Sequence, residues 1–315
     1  MKRQVHTVVL RSPEHYGQKV PPGPLGDFLR ELPSAIRLAI RMALAGASTS
    51  RGKRPTWLTS ASDIRLVDYQ GADETILRFE APPLGEAASE LYSQQELWPT
   101  RPDRNDTGFD VLADVVEEVA ANNLDSERFD SVLLGQLTRF EKPISRAFSE
   151  IIITGRRHTM KNPCIINSST IATARKLRTA TPAPRQVRIV GKLDMIRAST
   201  QSFALKLNSG EEIKGVLLKG DMGQLAKLFQ KPVMATGTAI FRPSGRLLRI
   251  DAQEVIAAPG ETEALSTVPK PVRQKTDLRQ ILREQKNKRG VAAVLGKWPG
   301  DETDLEIEQA LREMS

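Results

Sequence analysis

Apolar residues recur at two different periods along this chain, and the changes between them divide it into three regions. After the breaker cluster Pro21-Pro22-Gly23-Pro24, the residues Leu25, Phe28, Leu29, Leu32, Ile36, Ala39, Ile40 and Ala43 recur at three- and four-residue spacing. Arg30, Arg37 and Arg41 take the other face. This is the helical period, and it predicts an amphipathic helix to about Ala45. Val5 to Leu10 predicts a short strand, and Asp63 to Tyr69 and Glu74 to Phe79 predict two more, joined through Gly71. Gly108 to Ala121 and Ser126 to Phe140 read as helices and Glu150 to Thr154 as a strand. Ser168 or Ser169 caps a further helix that ends near Arg178. The pattern makes residues 1–181 a mixed α+β domain without fixing its topology.

Thr181-Pro182-Ala183-Pro184 makes a natural linker, and beyond it the period falls to two. Five strands are expected: Val187 to Arg197, Gln201 to Leu207, Glu211 to Leu218, Pro232 to Phe241 and Arg246 to Ile256. Phe203, Leu205 and Leu207 take one side of the second strand, Ala204 and Lys206 the other. Asp221 caps a short helix with Leu225, Leu228 and Phe229, and Phe203 and Phe229 read as core. Three strands, a helix and two strands is the element order of the oligonucleotide/oligosaccharide-binding (OB) barrel, and residues 185–258 resemble that fold. Gly191 and Gly237 fall where a small barrel needs sharply bent backbone.

Residues 259–315 are too few and too charged to bury a core. A basic run from Lys270 to Arg289 precedes Leu295-Gly296-Lys297-Trp298-Pro299-Gly300, and an acidic amphipathic helix is expected from Glu302 to Glu313. The fold class expected is therefore α+β: a mixed N-terminal domain, a small OB-like β-barrel, and a flexible charged arm.

Composition adds a partner class. The formal net charge of +8 suits an anionic partner, nucleic acid being the commonest. On the barrel, Arg188, Lys192 and Lys206 fall on the polar sides of their strands, Arg242 and Arg246 flank the turn between the last two strands, and Arg249 follows. Arg273, Lys275 and Arg279 extend the basic set onto the arm. A single cysteine, Cys164, excludes an internal disulfide and fits a reducing cytosol. The longest apolar stretch is interrupted by Arg37 and Arg41, and the N-terminus lacks a signal peptide's apolar run. The expectation is a cytoplasmic protein with no membrane partner.

Catalytic chemistry has little footing, and no catalytic residue, metal ligand or cofactor is expected. His158 and Cys164 lie close in sequence, but a lone cysteine beside Ile165-Ile166 reads as a small core residue. His6 and His15 have no ligand spacing to anything. The run from Gly46 to Arg54 misses the phosphate-loop pattern in glycine spacing, in its last residue and in the helix before it, and reads as a basic loop. Glu117 and Glu118, or Asp110 and Asp114, fit solvated helix faces.

The ending from Leu295 to Ser315 resembles the C-terminal tails of bacterial antitoxins. In those families a tail with an apolar-acidic helix wraps a toxin, often a ribonuclease of the PIN-domain type. The resemblance implies Trp298, Leu305, Ile307 and Leu311 as apolar anchors and Asp301, Glu302 and Asp304 as acidic contacts. A Trp between Lys and Pro on a charged arm is also a good interface anchor on physical grounds alone. The functional expectation is a bacterial, non-enzymatic interaction protein whose arm engages a protein partner. The alternative is nucleic-acid binding by the basic barrel face and the segment 270–289.

Overall fold

The computed structural model describes residues 2–49, 54–92, 102–259 and 265–271. All of these lie in one compact unit. Its elements run β1 (Gln4–Arg11), α1 (Pro22–Ala45), α2 (Thr56–Ala61), β2 (Arg65–Gln70), β3 (Thr75–Ala81), α3 (Leu84–Ala87), α4 (Gly108–Ala120), α5 (Ser131–Leu137), α6 (Glu141–Arg146), β4 (Glu150–Ile153), β5 (Cys164–Asn167) and α7 (Ser168–Ala180). The barrel elements follow as β6 (Arg185–Arg197), β7 (Ser202–Lys206), β8 (Glu212–Leu217), α8 (Met222–Ala226), β9 (Pro232–Phe241) and β10 (Leu247–Ala257).

Among the described residues the strands make two sheets. The first is antiparallel with order β2-β3-β1-β4-β5. Alternation along its strands sends Val8, Leu10, Leu77, Phe79, Ile151, Ile153, Cys164 and Ile166 into one core with Phe28, Leu32, Ile36 and Ile40 of α1 and Phe109 and Leu112 of α4. The helix α1 begins with proline in its first turn, where the missing N–H costs nothing, and ends on Gly46 in the left-handed conformation at φ 72°. Thr107 caps α4 in a reciprocal capping box with Asp110.

The second sheet closes into a barrel of order β10-β8-β7-β6-β9. The closing pair, β8 with β10, is parallel, and the other pairs are antiparallel. With α8 between its third and fourth strands, this closed barrel is compatible with the OB-like barrel. Gly237 shows why glycine is needed there: a Cβ would stand 2.4 Å from the Asp251 carbonyl oxygen and 2.7 Å from the Ala252 Cα. The backbones of β9 and β10 approach too closely at that point for any side chain.

Several local expectations shift. The helix expected from Ser126 starts at Ser131, because Asp130 accepts from the N–H groups of Val132 and Leu133 and caps it. Asn167, rather than either serine, caps α7. Phe229 is 48% exposed and not core: α8 ends at Ala226, so Leu225 takes the buried place and Phe229 falls beyond the helix. No helix among the described residues is long and apolar enough to cross a membrane. Arg273, Lys275, Arg279, Trp298, Asp301, Glu302, Asp304, Leu305, Ile307 and Leu311 lie outside the described residues.

Candidate functional site

The outward face of β6, β7 and β8 is built in rows set by strand register. Lys192 stands opposite Lys206, which stands opposite Glu212. The next row is Met195, Ala204 and Lys214. The third is Arg197, Ser202 and Val216. Rows two residues apart on a strand are separated by about 7 Å. A bulge in β6 between Leu193 and Met195 re-aims the second and third rows.

This face is open at the lysine end and roofed at the other. Met195 and Lys214 of the second row, the whole third row and Glu212 of the first line one wall of a cleft of about 800 Å³. Its other walls come from the end of α1 (Met42 to Gly46), from Val111, Asp114, Val115 and Glu117 of α4, and from Arg128 and Arg157. The charge inside is mixed. Asp103, Asp106, Asp114, Glu117, Glu127 and Glu212 share it with Arg128, Arg157, Arg197, Lys214 and Arg249.

The roof is held to the barrel by polar contacts from the loop after β9. Ser244 donates its N–H to the Leu124 carbonyl at 3.1 Å and its hydroxyl to Asp125 at 2.5 Å. Arg242 donates to Glu127 at 2.6 Å and to the Asp125 carbonyl at 2.9 Å, while Arg246 lies 3.5 Å from Asp125. Arg249 is 5% exposed, donates to Asp251 at 2.7 Å and reaches Asp130 at 3.2 Å. Three arginines expected to meet nucleic acid are thus engaged with carboxylates inside the molecule. Arg188, Lys192 and Lys206 are exposed, and Lys192 and Lys206 have no ion-pair partner among the described residues.

Asp110 and Asp114 of α4 are covered rather than solvated, while Glu117 on the same helix stays exposed. Asp106 and Asp110 are fully buried, and a loop some fifty residues later is strapped across them. The backbone N–H of Arg156 donates to Asp110 at 2.6 Å, and its guanidinium bridges Asp103 and Asp106. Arg157 donates to Asp106 at 2.5 Å and to Asp114 at 2.8 Å. Burial alone would lower the Arg157 guanidinium, but Asp106 and Asp114 outweigh it and push it above the ordinary arginine range. His158 sets one ring nitrogen 3.3 Å from Glu117 and leaves Nδ1 enclosed without a partner.

Asp114, Glu117 and His158 are the residues among those described that could hold a metal ion, with ligand atoms within 4.8 Å of one another. The Asp114 carboxylate, however, already accepts from Arg128 at 2.6 Å as well as from Arg157. Burial pushes the Cys164 thiol up, and the charges of Glu117 and Asp114 push it further, so it is held protonated. His6 is likewise buried, on β1. Its ring stacks on Phe109 at 4.7 Å and faces the Thr154 carbonyl and the Thr107 hydroxyl. Burial lowers its pKa, against a smaller opposing effect of Asp110.

No protein-family model, curated protein or solved structure matches this chain.

Proposed function

We propose that the protein binds single-stranded nucleic acid along the outward face of β6, β7 and β8, without chemistry of its own. One observation carries the reading: Lys192 and Lys206 face each other across the strand pair with no carboxylate bound to either. Like charges directly opposite destabilise a sheet, and phosphate contacts would relieve that cost. Lys214 continues the same face into the cleft, where it is ion-paired with Glu127 at 2.7 Å. A closed barrel compatible with the OB-like fold points the same way.

The character of the binding follows from what the face lacks. Phe203, the aromatic side chain in these rows' strands, is fully buried in the barrel core. Without a stacking platform, affinity rests on phosphate neutralisation, so binding should be steeply salt-dependent and indifferent to base sequence. A labelled short single strand, titrated by fluorescence anisotropy at low and moderate salt, tests this. Absence of binding at low salt would end the reading.

A second proposal rests on the sequence of the arm alone. Trp298, Leu305, Ile307 and Leu311 would anchor a protein partner, with Asp301, Glu302 and Asp304 meeting its basic surface. The two readings use different parts of the chain and are compatible.

A further inference from the structure

The imidazole of His158 offers a lone pair that no donor meets among the described residues. The residue is 5% exposed, its Nδ1 is enclosed without a partner, and its Nε2 meets the Glu117 carboxylate at 3.3 Å. A neutral imidazole carries one N–H and one lone pair, and a carboxylate can only accept. Whichever nitrogen holds the proton, the other therefore presents a buried lone pair that no N–H or O–H reaches. Oxygens of Asp114 and Glu117 stand beside it, the three ligand atoms lying within 4.8 Å of one another. A lone pair set among carboxylate oxygens repels them unless a cation lies between.

The surrounding charge favours a cation as well. Hydrogen bonds and ion pairs join Asp103, Asp106, Asp110, Asp114, Glu117 and Glu118 through Arg128, Arg156, Arg157 and His158. Among the described residues, six carboxylates against three guanidiniums leave an excess of three formal negative charges, on a chain whose net charge is +8. Asp114 keeps a place for a ligand. Arg128 at 2.6 Å and Arg157 at 2.8 Å both donate to its Oδ2, while Oδ1 takes one longer contact at 3.2 Å. Outer hydrogen bonds of this kind orient ligating carboxylates. The loop that carries His158 rests directly on α4, because Gly155 has no Cβ to stand 2.4 Å from Asp110 Oδ1. Ligand atoms with bonds of about 2.1 Å to one ion lie within roughly 4 Å of each other. The Glu117 side chain, 65% exposed, can swing to close that gap.

We infer that Asp114, Glu117 and His158 form a binding site for a divalent transition-metal ion at the wall of the cleft. One nitrogen and two oxygens suit zinc or manganese better than magnesium or calcium, which take oxygen donors. Asp114 and Glu117 line the cleft, and three protein ligands leave the ion at least one further position for water or a bound molecule. The site is independent of the Lys192–Lys206 face.

The test uses the full chain, dialysed against a chelator and titrated with Zn2+ by calorimetry and by thermal unfolding. Zn2+ should bind saturably, one ion per chain, and raise the Tm, because the folded chain alone assembles the site. Mg2+ at the same concentration should do neither. Glu117→Gln changes an exposed side chain and should weaken Zn2+ binding at least about ten-fold, since even outer-shell substitutions cost about 10–100-fold. Glu118→Gln removes the same charge one residue away, outside the ligand set, and should keep an affinity close to that of wild type. His158→Phe keeps a ring in the buried place without its nitrogens and should lose as much binding as Glu117→Gln. If His158→Phe does not fold, Glu117→Gln decides. A wild-type chain that binds no Zn2+, or equal responses to Zn2+ and Mg2+, overturns the inference. So does binding that survives Glu117→Gln or His158→Phe, or a loss in Glu118→Gln as large as that in Glu117→Gln.

Discussion

Arg249 of β10 and Asp130 at the start of α5 meet at 3.2 Å with side-chain exposures of 6% and 3%. The same carboxylate accepts the Ser48 hydroxyl at 2.6 Å, the Ser48 N–H, and the two N–H groups that open α5. One buried acid therefore ties the end of α1, the start of α5 and the barrel together. Burial by itself would raise the Asp130 pKa, but Arg249, Ser48 and the Leu133 N–H outweigh it and hold the group below the ordinary carboxylate range.

Asp130→Ala should lower stability by about 3–5 kcal/mol, because it strands the Arg249 charge in the interior and removes a helix cap. Urea unfolding at neutral pH measures this. A loss under about 1 kcal/mol would mean that the seam contributes little to the fold.

The depressed Asp130 pKa also gives a pH dependence with a definite sign. A carboxyl that ionises more readily in the folded state stabilises fully above its unfolded pKa of about 3.9, and that contribution is lost as pH falls through the lower folded value. Wild type should lose stability on acidification below about pH 4 more steeply than Asp130→Asn. Parallel acid limbs for the two proteins would contradict the assignment.

Lys192→Glu and Lys206→Glu should each weaken oligonucleotide binding and flatten its salt dependence by roughly one counterion. Lys192→Glu should leave thermal stability unchanged or slightly improved, since it turns the like-charge pair with Lys206 into an opposite-charge one, whereas Lys206→Glu sets an acid opposite Glu212. Anisotropy titrations across a salt series decide this, and equal slopes for wild type and both variants would remove the face from consideration.

Gly215 of β8 lies under the buried ring of Phe203, where an added Cβ would come within 2.3 Å of ring carbon. Gly215→Ala should force that ring from its place and cost about 1–3 kcal/mol. Phe203→Leu in the same background should recover part of the loss, and a double-mutant cycle measures the coupling.

For the arm, a pull-down comparing the full chain with a chain ending at Pro269 should capture a small protein with the first and not the second. Trp298→Ala should weaken that capture strongly, as expected of a central aromatic anchor. Identical captures by all three would leave the arm without a partner role.

The barrel was legible in the sequence because its signals are local. Strict alternation in Phe203, Leu205 and Leu207, the Asp221 cap and the turn between the last two strands fix five strands and a helix within a few residues each. The N-terminal topology was not, because the pairing of β1 with β4 joins residues more than a hundred apart and no local period encodes it. The same limit hid the burial of the carboxylates. Asp110 and Asp114 read as a solvated helix face, and only the distant Arg156 and Arg157 reveal otherwise. Arg242, Arg246 and Arg249 show it too: sequence gives their charge but not the acidic segment from Asp125 to Asp130 that receives it. Arg41 was legible as a charged position on an apolar helix, but not as the buried one it is.

The Arg249–Asp130 contact also carries a consequence for the order in which the molecule is made. Its partners lie 119 positions apart, and Leu248 beside it belongs to the core of the N-terminal sheet rather than to that of the barrel. During synthesis, the helices and first sheet leave the ribosome without Leu248 in their core and with Asp130 lacking its arginine. They must wait for β10, the last of the described strands, before either is satisfied. Chains halted before residue 248 should therefore be protease-sensitive throughout their N-terminal half and should depend on chaperones until the final strand arrives.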